Sequence, residues 1–140
     1  MPRRVLIIGG DSLLRKTARD ILKPGEYEVL EAVDGTDGLN KAEHLHPDAI
    51  LLAVGMSGLD GYEVCWGLKE NPATRGIPVI MVTTSAEPSL NALAYAAGAL
   101  ACLPKRFRRE ALIATIELAL VQTARRPKPR DDEQPRKPSR

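Results

Sequence analysis

Five short strand-like runs, separated by stretches with helical periodicity, constrain the fold of this chain more than any other feature. Arg4-Val5-Leu6-Ile7-Ile8, Ala49-Ile50-Leu51-Leu52-Ala53-Val54, Ile77-Pro78-Val79-Ile80-Met81-Val82 and Leu100 to Leu103 are almost wholly apolar, and Tyr27 to Ala32 alternates. Runs of this length and composition predict strands covered on both faces. Between them, Leu13, Leu14, Ala18, Ile21 and Leu22 repeat at helical spacing, as do Leu39, Ala42 and Leu45, then Tyr62, Val64, Cys65 and Leu68, then Leu90, Leu93 and Ala94. Glu110 to Thr123 is a long final helix. The punctuation agrees: Asp11-Ser12 offers an N-cap, Lys23-Pro24-Gly25, His46-Pro47 and Gly98 stop helices, and Asp34-Gly35 predicts a turn. The alternation is (βα)5, which predicts an α/β doubly wound fold with a five-stranded parallel sheet. Chemistry in such folds sits beyond the carboxyl ends of the strands, here Gly9-Gly10, Ala53, Thr83 and Lys105.

Charge divides the chain into two parts. Of 140 residues, 20 are Lys or Arg and 18 are Asp or Glu, a net of +2. Residues 125–140 hold seven basic residues against three acidic ones, with four of the 11 prolines, leaving 13 basic and 15 acidic residues before them. The expectation is a globular domain over 1–124 and a basic, Pro-rich, disordered tail over 125–140. That tail lacks aromatics and a DNA-reading helix, so no specific DNA binding is expected. No apolar run reaches the length of a membrane span, and the opening MPRRVLIIGGD is too short for a signal peptide. Cys65 and Cys102 make neither a disulfide framework nor a four-ligand zinc site and read as small core residues. His44 and His46 lack the i, i+4 spacing of a helical metal pair. A reduced, cytoplasmic protein is expected.

Several ordered segments carry a more specific signal. Pro47-Asp48-Ala49-Ile50-Leu51-Leu52, Gly58-Leu59-Asp60-Gly61-Tyr62-Glu63-Val64-Cys65, Asn71-Pro72-Ala73-Thr74-Arg75, Ile77 to Thr83 and Gly98-Ala99 together resemble the receiver domain of two-component response regulators, over roughly residues 3–122. The resemblance implies a flavodoxin-like sheet of strand order 2-1-3-4-5. It also implies a phosphoacceptor aspartate ending the third strand and a Mg²⁺-binding acidic pair after the first. A Ser or Thr follows the fourth strand in such domains, and a Lys the fifth. Thr83 and Lys105 match, as does Phe107. The phosphoacceptor position is Ala53, the acidic pair is Gly9-Gly10, Arg106 replaces a proline, and Cys102 stands where a switch Tyr or Phe is frequent.

These departures have chemical consequences. A methyl group is no nucleophile, so no acyl phosphate can form at Ala53. Mg²⁺ wants oxygen ligands, and glycine offers no side-chain oxygen, so no cofactor is expected and Mg²⁺ binding should be lost. Asp11 is expected as a helix N-cap or a solvated loop acid, with an inward turn as the alternative, and Asp60 as a loop or cap residue of the third helix. Ser57, Thr84 and Ser85 are alternative hydroxyls without an evident base. The Gly9-Gly10-Asp11-Ser12 turn matches neither dinucleotide nor Walker patterns, which leaves a small anion beside Lys105 as the ligand alternative. The resulting expectation is a non-enzymatic, stand-alone pseudo-receiver that works by protein contact. Its alternatives are a receiver with a relocated acceptor and an anion sensor. Residues 89–104 hold no charge, and the final helix is apolar beyond one stripe. The resemblance therefore points to the fourth helix, fifth strand and final helix as the contact face, through Leu90, Leu93, Tyr95, Leu100, Cys102 and Phe107. The expected partner is a histidine kinase, another regulator or a second copy of the chain.

Overall fold

The computed structural model describes residues 3–25, 27–54, 60–83 and 88–125, without the side chains of 88–91 and 122–125. Five strands, β1 (Arg3–Ile8), β2 (Tyr27–Ala32), β3 (Ala49–Ala53), β4 (Val79–Thr83) and β5 (Ala101–Pro104), alternate with five helices. The helices are α1 (Ser12–Leu22), α2 (Gly35–Leu45), α3 (Gly61–Glu70), α4 (Pro88–Ala96) and α5 (Arg109–Arg125). The strands form one parallel sheet in the order β2-β1-β3-β4-β5. This is the doubly wound, flavodoxin-like arrangement expected from the apolar runs.

Side chains alternate across the sheet, so each strand feeds two cores. Val5, Ile7, Leu51, Ile80, Val82 and Leu103 pack under α1 and α5 with Leu14, Ala18, Leu112 and Ile116. Leu6, Ile8, Ile50, Leu52, Val79 and Met81 pack under α2, α3 and α4 with Ala42, Val64, Leu68 and Ala94. Every residue of β3 and β4 is buried, which explains their unbroken apolar sequence.

Three helices start on an aspartate. Asp11 accepts from Leu13 N–H at 2.9 Å, and Asp34 from Asp37 N–H at 2.8 Å. Asp60 and Glu63 form a reciprocal capping box. Asp34, expected in a turn, is therefore the cap of α2. His46 closes α2 in the left-handed region at φ 48°, with Pro47 after it. β4 begins at Val79 rather than Ile77, because Pro78 has no N–H for the ladder and Ile77 N–H turns back to Thr74 O. β3 ends at Ala53, although Val54 N–H still bonds Val82 O. α4 begins at Pro88, a residue suited to a helix's first position, before the expected Leu90. α5 runs to Arg125, and residues 126–140 lie outside the described residues. Among the described residues no helix is long and apolar enough to cross a membrane.

Candidate functional site

β1 and β3 are neighbours in register, Ile8 opposite Leu52, so the next residues along the chain, Gly9 and Ala53, meet at the carboxyl end of the sheet. A Cβ built on Gly9 would lie 3.1 Å from the Ala53 Cβ, tighter than nine in ten real Cβ contacts. Gly10 is exposed, and a Cβ there would face only the Val33 carbonyl at 3.5 Å. On the other side of β3, Lys105 N–H donates to Thr83 O at 2.6 Å, joining the ends of β4 and β5. These elements enclose a cavity of about 60 Å³ lined by Gly10, Asp11, Leu14, Ala53, Val54, Val82 and Lys105. It has room for ordered water and is far smaller than a nucleotide pocket. Thr83, 3% exposed, is not among its lining residues.

The Asp11 carboxylate serves two roles at once. Its Oδ1 caps α1, and its Oδ2 lies 3.0 Å from Lys105 Nζ. Asp11 is thus the cap of α1 and at the same time the partner of Lys105. The Lys105 hydrogen bond, reinforced by the Leu13 N–H, holds the Asp11 carboxyl below the usual carboxylate range. Lys105 therefore has an anionic partner even though the three family carboxylates are absent.

A second set of charges lies behind Gly9, and sequence reasoning missed it. Arg15 donates to Gly9 O and pairs with Glu31 at 3.2 Å, and Arg19 pairs with the other oxygen of Glu31. The signal was present as two arginines at i, i+4 on α1 and two acids within β2, of which Glu31 is the partner. Bringing them together requires knowing that β2 lies beside β1.

The donor set does not fit Mg²⁺. Gly9, Gly10 and Ala53 supply no side-chain oxygen, and the one carboxylate lining the cavity is held by Lys105. Among the described residues no group of three or more His, Cys, Asp or Glu converges on a point. His44 Nδ1 lies 2.7 Å from Asn40 O within α2. Cys65 is buried, donates to Ala97 O at 3.4 Å, and has its thiol pKa pushed up to about 11 by burial. Burial also raises Cys102, against a hydrogen bond from Tyr95. Ser57, Thr84, Ser85 and the side chain of Leu90 lie outside the described residues.

The expected contact residues divide by exposure. Leu93 and Tyr95 are each 53% exposed on α4, and Leu118 on α5 is 56% exposed. Leu100 and Phe107 instead pack against the α1/α5 core, and Cys102 against the opposite one.

Comparison with known proteins agrees with this architecture. Protein PilG of Pseudomonas aeruginosa is 33% identical over 114 residues, 81% of this chain and 84% of PilG. Response regulator MprA of Mycobacterium sp. (strain KMS) is 34% identical over 124 residues, and here the chain covers 53% of its relative. This chain thus spans most of one relative and about half of the other. The solved structure of Vibrio cholerae chemotaxis protein CheY4 superposes with a TM-score of 0.81 at 28% identity, covering 86% of this chain and 100% of that one. The model of the response regulator receiver domain matches residues 5–117, and the chain belongs to that family.

Proposed function

We propose that this receiver acts in two-component signalling without accepting a phosphoryl group, as a non-enzymatic, cytoplasmic module that works by protein contact. The observation that carries this reading is the meeting of Ala53 and Gly9 at the strand ends. There a methyl and a hydrogen stand where a nucleophile and a metal ligand would be needed. The Asp11–Lys105 pair supports it, since the cation that would meet an incoming phosphoryl group already has a carboxylate. The same pair counts against a free-anion sensor, because an anion entering the cavity would have to displace Asp11. No described residue favours a relocated acceptor. The half-exposed Leu93, Tyr95 and Leu118 support α4, β5 and α5 as a contact face for a kinase, another regulator or a second copy. The basic residues beyond Arg125 fit a solubilising extension.

The test is incubation of the full chain with acetyl phosphate and MgCl₂, followed by intact-mass measurement. No adduct is expected. A stoichiometric gain of one phosphoryl group would overturn the reading, and peptide mapping would then locate the acceptor.

A further inference from the structure

The connection from β5 into α5 reads Lys105-Arg106-Phe107-Arg108-Arg109, four cations in five residues. All four are exposed, while Phe107 packs inward against the α1/α5 core. Lys105 is held by Asp11. Among the described residues Arg106, Arg108 and Arg109 pair with no carboxylate.

Their position is electrostatically unfavourable. Leu112 N–H donates to Arg108 O at 3.0 Å, so Arg108 occupies the capping position of α5. Asp11, Asp34 and Asp60 hold that position in α1, α2 and α3. A guanidinium has only donors and cannot accept a hydrogen bond from the first turn. Its charge also faces the positive end of the helix dipole, beside two like charges. Glu110 is the single acid in the first turn. Cations needed only for solubility would cost less almost anywhere else on this helix.

We propose that Arg106, Arg108 and Arg109 form a docking surface for an acidic segment of a partner protein. The planar forks of three arginines suit carboxylates, which they bind in bidentate fashion. An incoming anionic segment would also offset the dipole and the mutual repulsion, so binding would relieve a cost already present in the free protein. A protein segment fits better than nucleic acid for two reasons. The one aromatic of the run is turned inward, which removes a stacking platform for bases. Three cations within four residues form a compact patch, whereas nucleic-acid binding commonly draws on about 6–10 phosphate contacts. Leu13, 66% exposed, has its backbone N–H on the Asp11 carboxylate that holds Lys105, the residue before Arg106.

This deepens the contact reading above and rests on it only in requiring a protein partner. The experiment is fluorescence anisotropy on the full chain with three labelled probes: a short Asp/Glu-rich peptide containing one Leu, its Asn/Gln counterpart, and oligothymidylate of equal length. The acidic peptide is expected to bind and the Asn/Gln peptide not to. The triple change Arg106→Gln, Arg108→Gln and Arg109→Gln should weaken binding roughly tenfold or more. Arg108→Asp should weaken it too while raising Tm, because it installs the missing cap, and this separates docking from folding. Changing Arg126, Lys128 and Arg130 to Gln should leave the affinity within about twofold, as expected for a binding site away from the tail. Three results would each overturn the proposal: no binding of the acidic peptide, equal binding by the triple variant, or tighter binding of oligothymidylate. A phosphoryl adduct in the mass experiment would overturn the pocket reading and leave this surface standing. Failure here would leave the Ala53 argument intact.

Discussion

At the scale of single residues, the site differs from a phosphoacceptor pocket by groups removed and by one group reassigned. Gly10 and Ala53 leave space, whereas Gly9 does not, since its Cβ would press on that of Ala53 at 3.1 Å. The double change Gly10→Asp, Ala53→Asp is therefore expected to fold and to give heat on calorimetric titration with MgCl₂, with no heat expected from the natural chain. No heat would mean that the strand ends, as well as their side chains, no longer fit the ion. Adding Gly9→Asp should destabilise by about 1–3 kcal/mol, because its Cβ would crowd the side chain at position 53. Asp11 provides a separate test. Asn caps a helix as well as Asp does, so Asp11→Asn keeps the α1 cap and discards the Lys105 pair. The Asp11 pKa is lowered in the folded protein, so its contribution is present above the ordinary carboxylate range and lost as pH falls through the lowered value. The Tm deficit of Asp11→Asn should accordingly be present at neutral pH and shrink in acid. A deficit independent of pH would mean that the pair adds nothing.

At the scale of elements, two glycines permit close approaches, Gly61 of α3 to the end of β3 and Gly98 to Lys69 of α3. The Cβ of an alanine at Gly61 would lie 2.7 Å from Ala53 O and 2.9 Å from Val54 Cα, both backbone atoms that cannot swing aside. Gly98 ends the α4 segment at φ 107°, and a Cβ there would meet Lys69 Cγ at 2.6 Å. Lys69 is anchored by Nζ hydrogen bonds to Arg75 O and Ile77 O, so a side chain at Gly98 meets this contact as well as backbone strain. Chemical denaturation should place Gly98→Ala about 1–2 kcal/mol below the natural chain. Gly61→Ala should fall at the upper end of about 1–3 kcal/mol; a neutral result at either position would contradict these contacts. The elements themselves were largely legible from sequence, because burial on both faces imposes unbroken apolar runs such as Ile50-Leu51-Leu52 and aspartates mark helix starts at Asp11 and Asp60. Boundaries shifted where a local rule competed, as at Pro78, which lacks an N–H, and at Asp34, where turn and cap use the same residue. The site was legible as positions but not as contacts. The Asp11–Lys105 pair and the Arg15–Glu31–Arg19 network join residues far apart in the chain, and only the strand order brings them together.

At the scale of the whole molecule, the two candidate contact surfaces differ in chemistry and so in their response to salt. The arginine surface acts through charge, and its binding should weaken as salt screens it. The second surface would act through the exposed apolar side chains of α4 and α5, near β5, an edge strand of only four residues. Short edge strands limit sheet-to-sheet pairing, which leaves side chains of the flanking helices as the means of contact. Leu93, Tyr95, Leu118 and Val121 are all more than half exposed, whereas Leu100 and Phe107 are partly buried and pack against the core. Leu93→Arg and Leu118→Arg should then leave stability within about 0.5 kcal/mol, as surface changes usually do. Leu100→Arg should cost more, so it would confuse loss of contact with loss of folding. Sedimentation velocity is expected to show self-association of the full chain that persists in high salt and disappears in Leu93→Arg and Leu118→Arg. Association that falls with salt and survives both changes would assign it to the charged surface instead. A monomer at every concentration would remove the second copy as the occupant of the apolar face.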